Sequence, residues 1–130
     1  MHADLSRSTI GVFYDVYNEL GHGFLESVYH NAMLDALRAA GLRAESKIQI
    51  PVYFRSHVVG EFEADILVEG KVLLELKAAR TLDIAHESQL LNYLRATPIE
   101  VGLLLNFGTK PQVKRLIFDN PRKRSRGVPE

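Results

Sequence analysis

The sequence of 130 residues contains no cysteine. Without cysteine there is no disulfide bond, no thiolate metal site and no cysteine nucleophile, and a reducing compartment is slightly favoured. No apolar run is long enough to cross a membrane. The N-terminal stretch MHADLSRSTIG also lacks the basic and apolar regions of a signal peptide. The sequence therefore predicts a cytoplasmic protein that does not enter the membrane.

The sequence also lacks net charge, with 16 basic and 16 acidic residues. This balance hides an asymmetry, because bases dominate from Lys110 to the end of the chain. We expect Lys110, Lys114 and Arg115 to contact a polyanion such as nucleic acid. Residues from about 119 to 130 read as a basic flexible tail. With 46% hydrophobic and 25% charged residues, the chain is typical of a globular protein, and its length predicts a single domain over 1–130.

The hydrophobic pattern predicts the element order ααβββαββ. A first helical stripe follows Ser6 or Ser8, either of which can cap the helix, and ends at Gly21. A second stripe begins with Leu25 and Val28 and is closed by Gly41. The period then changes to two, and the later segments read as strands interrupted by one helix that stops before Pro98. This order predicts an α/β or α+β arrangement around one sheet.

Three ionisable residues interrupt the apolar stretch ADILVEGKVLLELKAA. A hairpin turn at Glu69–Lys71 makes Asp65 and Glu75 cross-strand neighbours. Alternation places Asp65 on the same face as Glu61 and Glu63. Two adjacent, partly buried carboxylates repel each other, and a hard cation such as magnesium removes that cost. The alternative is a surface ladder of ion pairs in which Lys77 neutralises Glu75.

Longer motifs decide between these readings. Asp65 followed by Glu75-Leu76-Lys77 resembles the signature of the PD-(D/E)xK nuclease superfamily, although Ala64 stands where the name of the signature has proline. The segment GFLESVY, from Gly23 to Tyr29, is similar to the motif that names the GxxExxY family within it. The resemblance continues through AHESQLLNYLRAT and VGLLLNFG and covers the chain from the first helix to VKRLIF.

The resemblance implies a restriction-endonuclease-like αβββαβ core: a central mixed sheet flanked by helices, with an extra N-terminal helix and a C-terminal strand. Asp65 and Glu75 would be the principal ligands of Mg²⁺ or Mn²⁺, joined by the Leu76 carbonyl and by Glu26 from the second helix. Lys77 would position the attacking water or stabilise the transition state. The alternative for Glu26 is an acid that favours a helix N-terminus.

Gln89 and Tyr93 resemble a QxxxY pattern in the recombination-associated branch of these nucleases. Residues four apart share a helix face, so the two side chains would position Lys77 or contact a DNA phosphate. The alternative is a core tyrosine beside an exposed glutamine. His86, one turn earlier, reads as a surface or capping histidine.

The sequence therefore carries two hypotheses of function. The first is an enzyme, a metal-dependent nuclease that hydrolyses phosphodiester bonds in nucleic acid, with DNA as the expected substrate. The second is a catalytically silent module that binds nucleic acid or protein on a nuclease fold. Both leave open a homodimer or a partner protein.

Overall fold

A computed structural model describes residues 1–119 of the chain. Its element order matches the order predicted from the sequence, and the predicted tail lies, apart from its first residue, outside the described residues. None of the helices in this range is long and apolar enough to span a membrane. The elements in chain order are α1 (Ala3–Leu20), α2 (Glu26–Ala39), β1 (Ala44–Phe54), β2 (His57–Val68), β3 (Val72–Lys77), α3 (Ile84–Arg95), β4 (Val101–Phe107) and β5 (Pro111–Ile117).

The five strands form one mixed sheet in the order β1-β2-β3-β4-β5. Three of the four neighbouring pairs are antiparallel, and β3 and β4 are parallel. A parallel pair needs a crossover connection, which α3 supplies. Three residues, Glu69 to Lys71, connect β2 and β3, and the Lys71 amide donates to the Val68 carbonyl at 2.9 Å. The first two, Glu69 and Gly70, have φ of 53° and 65°, as the central residues of a tight hairpin turn require. The predicted mixed α/β sheet with flanking helices is confirmed.

The two faces of the sheet carry separate hydrophobic clusters. Helices α1 and α2 cover one face, and α3 covers the other. β4 lies between them with every residue buried, which explains its nearly continuous apolar sequence. On the α1/α2 face, Tyr29 stacks on Phe107 with ring centroids 4.2 Å apart. This stacking fixes α2 against β4, the neighbour of the strand that carries Glu75 and Lys77.

The starts of both N-terminal helices differ from the prediction. α1 begins at Ala3, so Ser6 is a buried helical residue and not a cap. Leu25 and Val28 are 77% and 37% exposed, so the prediction that they begin the buried stripe of α2 is wrong. The buried residues of α2 are spaced four apart, beginning with Tyr29. Because Leu25 precedes the helix, helical periodicity does not govern its side chain.

Strict alternation also fails in the β1–β2 hairpin. Ala44 packs in the cluster against α1 and α2, whereas Ile50 packs against α3, although an unbroken strand places both on one face. β2 shows the same reversal, since Ile66 packs against α1 and α2 and Ala64 packs against α3. The reversal coincides with Lys47, whose φ is 57°. The predicted common face for Glu61, Glu63 and Asp65 is therefore wrong, because the strand turns over at Asp65.

Candidate active site

The two carboxylates predicted to be neighbours meet where β2 and β3 stop pairing. The last backbone pair is Ile66 with Leu74. One step further, the Asp65 amide donates to Glu75 Oε1 at 3.1 Å, and the Leu76 amide donates to Asp65 Oδ2 at 2.7 Å. Each carboxylate thus accepts a hydrogen bond from the opposite strand in place of a backbone carbonyl. Both acids are held by the main chain at the point where the strands separate.

Burial dominates the electrostatics of this pair. Glu75 is only 5% exposed. Loss of hydration, followed by the charge of Asp65, raises the pKa of Glu75 from 4.5 to about 8. Loss of hydration also raises the pKa of Asp65, against the opposing effect of the hydrogen bond from Leu76. Without a cation, the pair therefore retains a proton at neutral pH.

The loop before α2 places Glu26 near this pair. Gly23 has a φ of 108°, which favours glycine over any residue with a side chain. The Tyr29 hydroxyl donates to the Gly21 carbonyl at 2.6 Å and accepts from the Phe24 amide at 3.3 Å. Glu26 is the first residue of α2, it is exposed, and its charge contributes to the raised pKa of Glu75. In this motif Gly23 therefore shapes the turn before α2, and Tyr29 holds that turn in place. Glu26 supplies the carboxylate.

His30 was not singled out by the sequence, yet it contacts the same strands. It lies one helical turn after Glu26, so the two side chains share a helix face. Its Nε2 atom is 3.1 Å from the Asp65 carbonyl oxygen and 3.2 Å from Ser46 Oγ. Because a carbonyl can only accept, Nε2 carries the proton and donates it. His30 therefore ties α2 to β1 and β2 at the level of the carboxylates.

Asn106 fixes the chain just after Lys77. Its amide is fully buried, accepts from the Ala79 amide at 2.9 Å and donates to the Ala79 carbonyl at 2.9 Å. It also donates to Gln112 at 2.9 Å. Gly108 leaves room for this contact, since a Cβ there would lie 2.4 Å from the Ala79 carbonyl oxygen. A lone polar residue in the apolar run VGLLLNFG was the available sequence signal for this contact.

Lys77 itself lies at the end of β3, opposite Asn106 in the register. It is partly exposed, and its positive charge lowers the pKa of both Asp65 and Glu75. Within residues 1–119, no ion pair within 4.0 Å involves Lys77. Within these residues, Lys77 therefore does not form the direct ion pair with Glu75 that the ladder of ion pairs requires. Its charge acts on both acids without such a pair.

Gln89 and Tyr93 reach the same region from α3. Gln89 Nε2 donates to the Tyr93 hydroxyl at 2.8 Å. Tyr93 is 4% exposed, and burial followed by the charge of Glu75 raises its pKa. The charges of Glu75 and Asp65 therefore act on the phenol, while Gln89 remains exposed. His86 accepts from the Asp83 amide at 3.2 Å and completes a capping box, which confirms it as a capping residue.

The three predicted basic contacts lie at different distances from this site. Lys110 is exposed in the β4–β5 turn, at the same end of the sheet as Lys77. Lys114 is exposed on β5, level with Glu75 but two strands away. Arg115 donates to Ser6 Oγ at 3.3 Å and to the Met1 carbonyl, so it binds α1 and its N-terminal end. Of these three residues, Lys110 is therefore best placed to contact a ligand bound at Asp65 and Glu75.

An open pocket of about 290 Å³ lies between α2 and the β1–β2 hairpin. Its lining includes Glu26, His30, Lys47, Glu63 and Asp65. Across the described residues, no three aspartate, glutamate or histidine side chains already form a compact ligand cluster. The nearby donors are nevertheless carboxylate and carbonyl oxygens, which suit Mg²⁺ or Mn²⁺. The raised pKa values show an acidic pair that a hard cation would stabilise.

Comparisons with known proteins agree with this arrangement. A family model described as "PD-(D/E)XK nuclease superfamily" matches residues 3–116. The comparison with curated proteins gave no match. A solved structure described as "Crystal structure of SSO0001" aligns with a TM-score of 0.59 and 18% identity. The alignment covers 78% of this chain and 55% of that chain, so the present chain spans about half of its length. At this identity the likeness shows the fold alone.

Proposed function

The chain belongs to the PD-(D/E)XK nuclease superfamily, and from this premise we propose that it is a metal-dependent nuclease. It hydrolyses phosphodiester bonds in nucleic acid, with DNA as the expected substrate and Mg²⁺ or Mn²⁺ as the cofactor. One observation carries the proposal: Asp65 and Glu75 are held side by side through hydrogen bonds to each other's strands, although their charges repel. A purely structural pair of acids has no reason to be kept so close.

Four groups would hold the metal: the carboxylates of Glu26, Asp65 and Glu75, and the carbonyl of Leu76. When bound, the ion would stabilise charge on the scissile phosphate and lower the pKa of a coordinated water. Glu26 is exposed at the start of its helix, so its side chain is free to turn toward an ion. Glu75 must lose its proton to bind, which couples metal binding to pH.

Lys77 supplies the positive charge of the reaction. Its ammonium group orients the attacking water or stabilises negative charge that develops on the phosphate. The Asn106 contact supports this role, because it fixes the backbone two residues after Lys77. Gln89 and Tyr93 present hydrogen-bonding groups to the same region, and exposed Lys110 offers a phosphate contact at the same end of the sheet.

The deciding experiment incubates purified protein with labelled single-stranded, double-stranded and branched DNA and with RNA. Each substrate is tested with Mg²⁺, with Mn²⁺ and with a chelator. We expect metal-dependent cleavage of at least one DNA substrate. Asp65→Ala should abolish both cleavage and metal binding, while circular dichroism shows the fold intact. Glu61→Gln is the matched control, because it removes an exposed carboxylate of the same strand that does not line the pocket.

The second hypothesis makes a different forecast for the same panel. A module that only binds nucleic acid would retain these substrates without cleaving any of them under either metal. If Asp65→Ala still cleaves, the protein is a nuclease, but Asp65 and Glu75 do not act in the way proposed here.

A further inference from the structure

Lys47 has a backbone conformation that is unusual inside a strand. Its φ is 57°, in the left-handed region, although it lies within the eleven residues of β1. A residue with a side chain is disfavoured there, and such strain persists only where surrounding contacts impose it. Other positive-φ residues such as Arg55, Ser56 and Glu69 lie in turns, where this conformation is ordinary.

The strained residue lies directly across from the carboxylate pair. Ser46 pairs with Ile66 and Ile48 pairs with Ala64, so Lys47 stands opposite Asp65. The register is the same on both sides of Lys47, so the strand turns over without an inserted residue. Lys47 lines the same pocket as Glu26 and Asp65.

Contacts from α2 keep the chain in this conformation. His30 Nε2 meets the carbonyl of Asp65 on β2 and the hydroxyl of Ser46 on β1. These contacts tie both strands where they reverse faces, one residue before Lys47. The same helix carries Glu26, so the element that would bring a metal ligand also fixes the strained residue.

The ammonium group of Lys47 is available to a ligand. Lys47 is exposed, and in the described part of the chain it makes no ion pair within 4.0 Å. Arg43, on the approach to the same strand, is by contrast paired with Glu69 at 3.4 Å. Because no acid in the described residues pairs with Lys47, its ammonium group is suited to bind a negatively charged ligand.

We propose that Lys47 is a substrate-binding residue that holds a phosphate next to the scissile one. This inference rests on the proposed function and names a second contact of the same site. Lys47 and Lys77 lie on β1 and β3, on either side of the strand that carries Asp65. Two strand spacings and an offset of two residues along the strand separate their backbones by roughly 12 Å. The two lysines therefore flank the carboxylates, and a nucleic-acid strand that crosses the site meets one positive charge on each side.

The test measures binding separately from cleavage. Fluorescence anisotropy with a labelled thymidine oligonucleotide and with a labelled duplex, in Mg²⁺ and over a series of salt concentrations, gives the affinity and its salt dependence. Lys47→Met removes the charge and keeps most of the aliphatic stem, and it should bind roughly tenfold more weakly with a salt slope shallower by about one. Lys47→Arg should bind like the wild type. Lys71→Met, in the β2–β3 turn, is the matched control and should leave affinity unchanged.

Lys47→Gly separates the charge from the backbone. Glycine adopts positive φ without strain, so this variant should be at least as stable to heat as the wild type while binding as weakly as Lys47→Met. In cleavage assays, both variants should raise KM and leave kcat within a few-fold of the wild type. A structural role alone would lower the melting temperature of both variants and leave the salt slope unchanged.

The outcomes keep the two proposals apart. If wild type cleaves and Lys47→Met binds with unchanged affinity and salt slope, the inference is overturned and the nuclease stands. If wild type binds without cleaving and Lys47→Met weakens binding as expected, the contact stands and the nuclease falls. If wild type neither binds nor cleaves any probe, both are overturned.

Discussion

Asp65 binds Glu75 through its backbone amide and repels it through its side chain. The amide donates to Glu75 Oε1 at 3.1 Å, while the Asp65 carboxylate is one cause of the raised pKa of Glu75. The main chain thus holds together two groups whose charges favour separation. A site of this kind is stabilised by whatever brings positive charge, so its stability without metal should depend strongly on pH.

The first prediction concerns pH and the metal-free protein. Below about pH 4.5, Glu75 is protonated in both the folded and unfolded chains, so pH has little effect through it. Between about 4.5 and 8, the unfolded chain loses this proton while the folded chain keeps it, so the free energy of unfolding falls as pH rises. Glu75→Gln should remove the part of this decline that comes from Glu75 and leave the part that comes from the raised pKa of Asp65. Urea unfolding in a chelator, repeated across this range, measures the difference.

The control for this prediction is Glu61→Gln, which removes an exposed carboxylate outside the pocket and should keep the pH dependence of the wild type. Adding Mg²⁺ or Mn²⁺ should restore stability to the wild type at pH 8 and have little effect on Glu75→Gln. Parallel pH profiles for wild type and Glu75→Gln would show that Glu75 titrates at its ordinary pKa, contrary to its burial.

The second prediction concerns Lys77. Lys77→Met should lower kcat by roughly 100-fold or more, because it removes the positive charge beside the reacting phosphate. Metal affinity should stay close to that of the wild type, since lysine is not a ligand, and isothermal titration calorimetry with Mn²⁺ checks this. A variant that cleaves at the wild-type rate would remove Lys77 from the chemistry.

The third prediction concerns the Asn106 contact. Asn106→Ala leaves the amide and carbonyl of Ala79 without their partners, which should lower the free energy of unfolding by about 2–4 kcal/mol. Gln112→Ala is the matched control, because it removes only the outer hydrogen bond of the same side chain and should cost about 1 kcal/mol or less. Urea denaturation measures both. Equal losses would show that the contact with Ala79 contributes nothing of its own.

The fourth prediction uses two tyrosines with the same chemical change. Tyr29→Phe keeps the stacking on Phe107 but loses the bonds to Gly21 and Phe24, so stability should fall by about 1–2 kcal/mol. Metal affinity should fall as well, because the turn that places Glu26 is released. Calorimetry with Mn²⁺ measures this second effect.

Tyr17→Phe is the control for Tyr29→Phe. Its hydroxyl donates to the carbonyls of Gly108 and Thr109, away from the α2 turn. It should lose a similar amount of stability and retain metal affinity. Equal metal affinity in the two variants would show that Tyr29 does not help to place Glu26.

Much of the fold was predictable because its signals are local. Apolar spacing gave the order of helices and strands, and Gly70 marked the turn that brings Asp65 and Glu75 together. Each of these features depends on a few consecutive residues. The acidic pair was therefore visible in the sequence before any long-range contact was known.

The remaining features depend on contacts between distant segments. Alternation predicted one face for Glu61, Glu63 and Asp65, but β2 reverses at Asp65, opposite Lys47 of β1. Contacts with α2 override the local pattern there. Lysine carries no sequence signal for a left-handed backbone. The burial of Val28 was likewise misjudged, because the start of α2 is set by the turn that Tyr29 fixes.

The turn at Glu69–Gly70 also bears on the order in which the chain folds. It separates Asp65 from Glu75 by ten residues, whereas Asn106 and Ala79 are 27 residues apart. Closing a short loop costs less chain entropy than closing a long one, so the acidic half of the site requires only a hairpin. The lysine is fixed only once α3 has crossed the sheet and β4 has joined β3. We therefore expect a partly folded chain to bring its two carboxylates together before the Asn106 contact fixes the backbone next to Lys77.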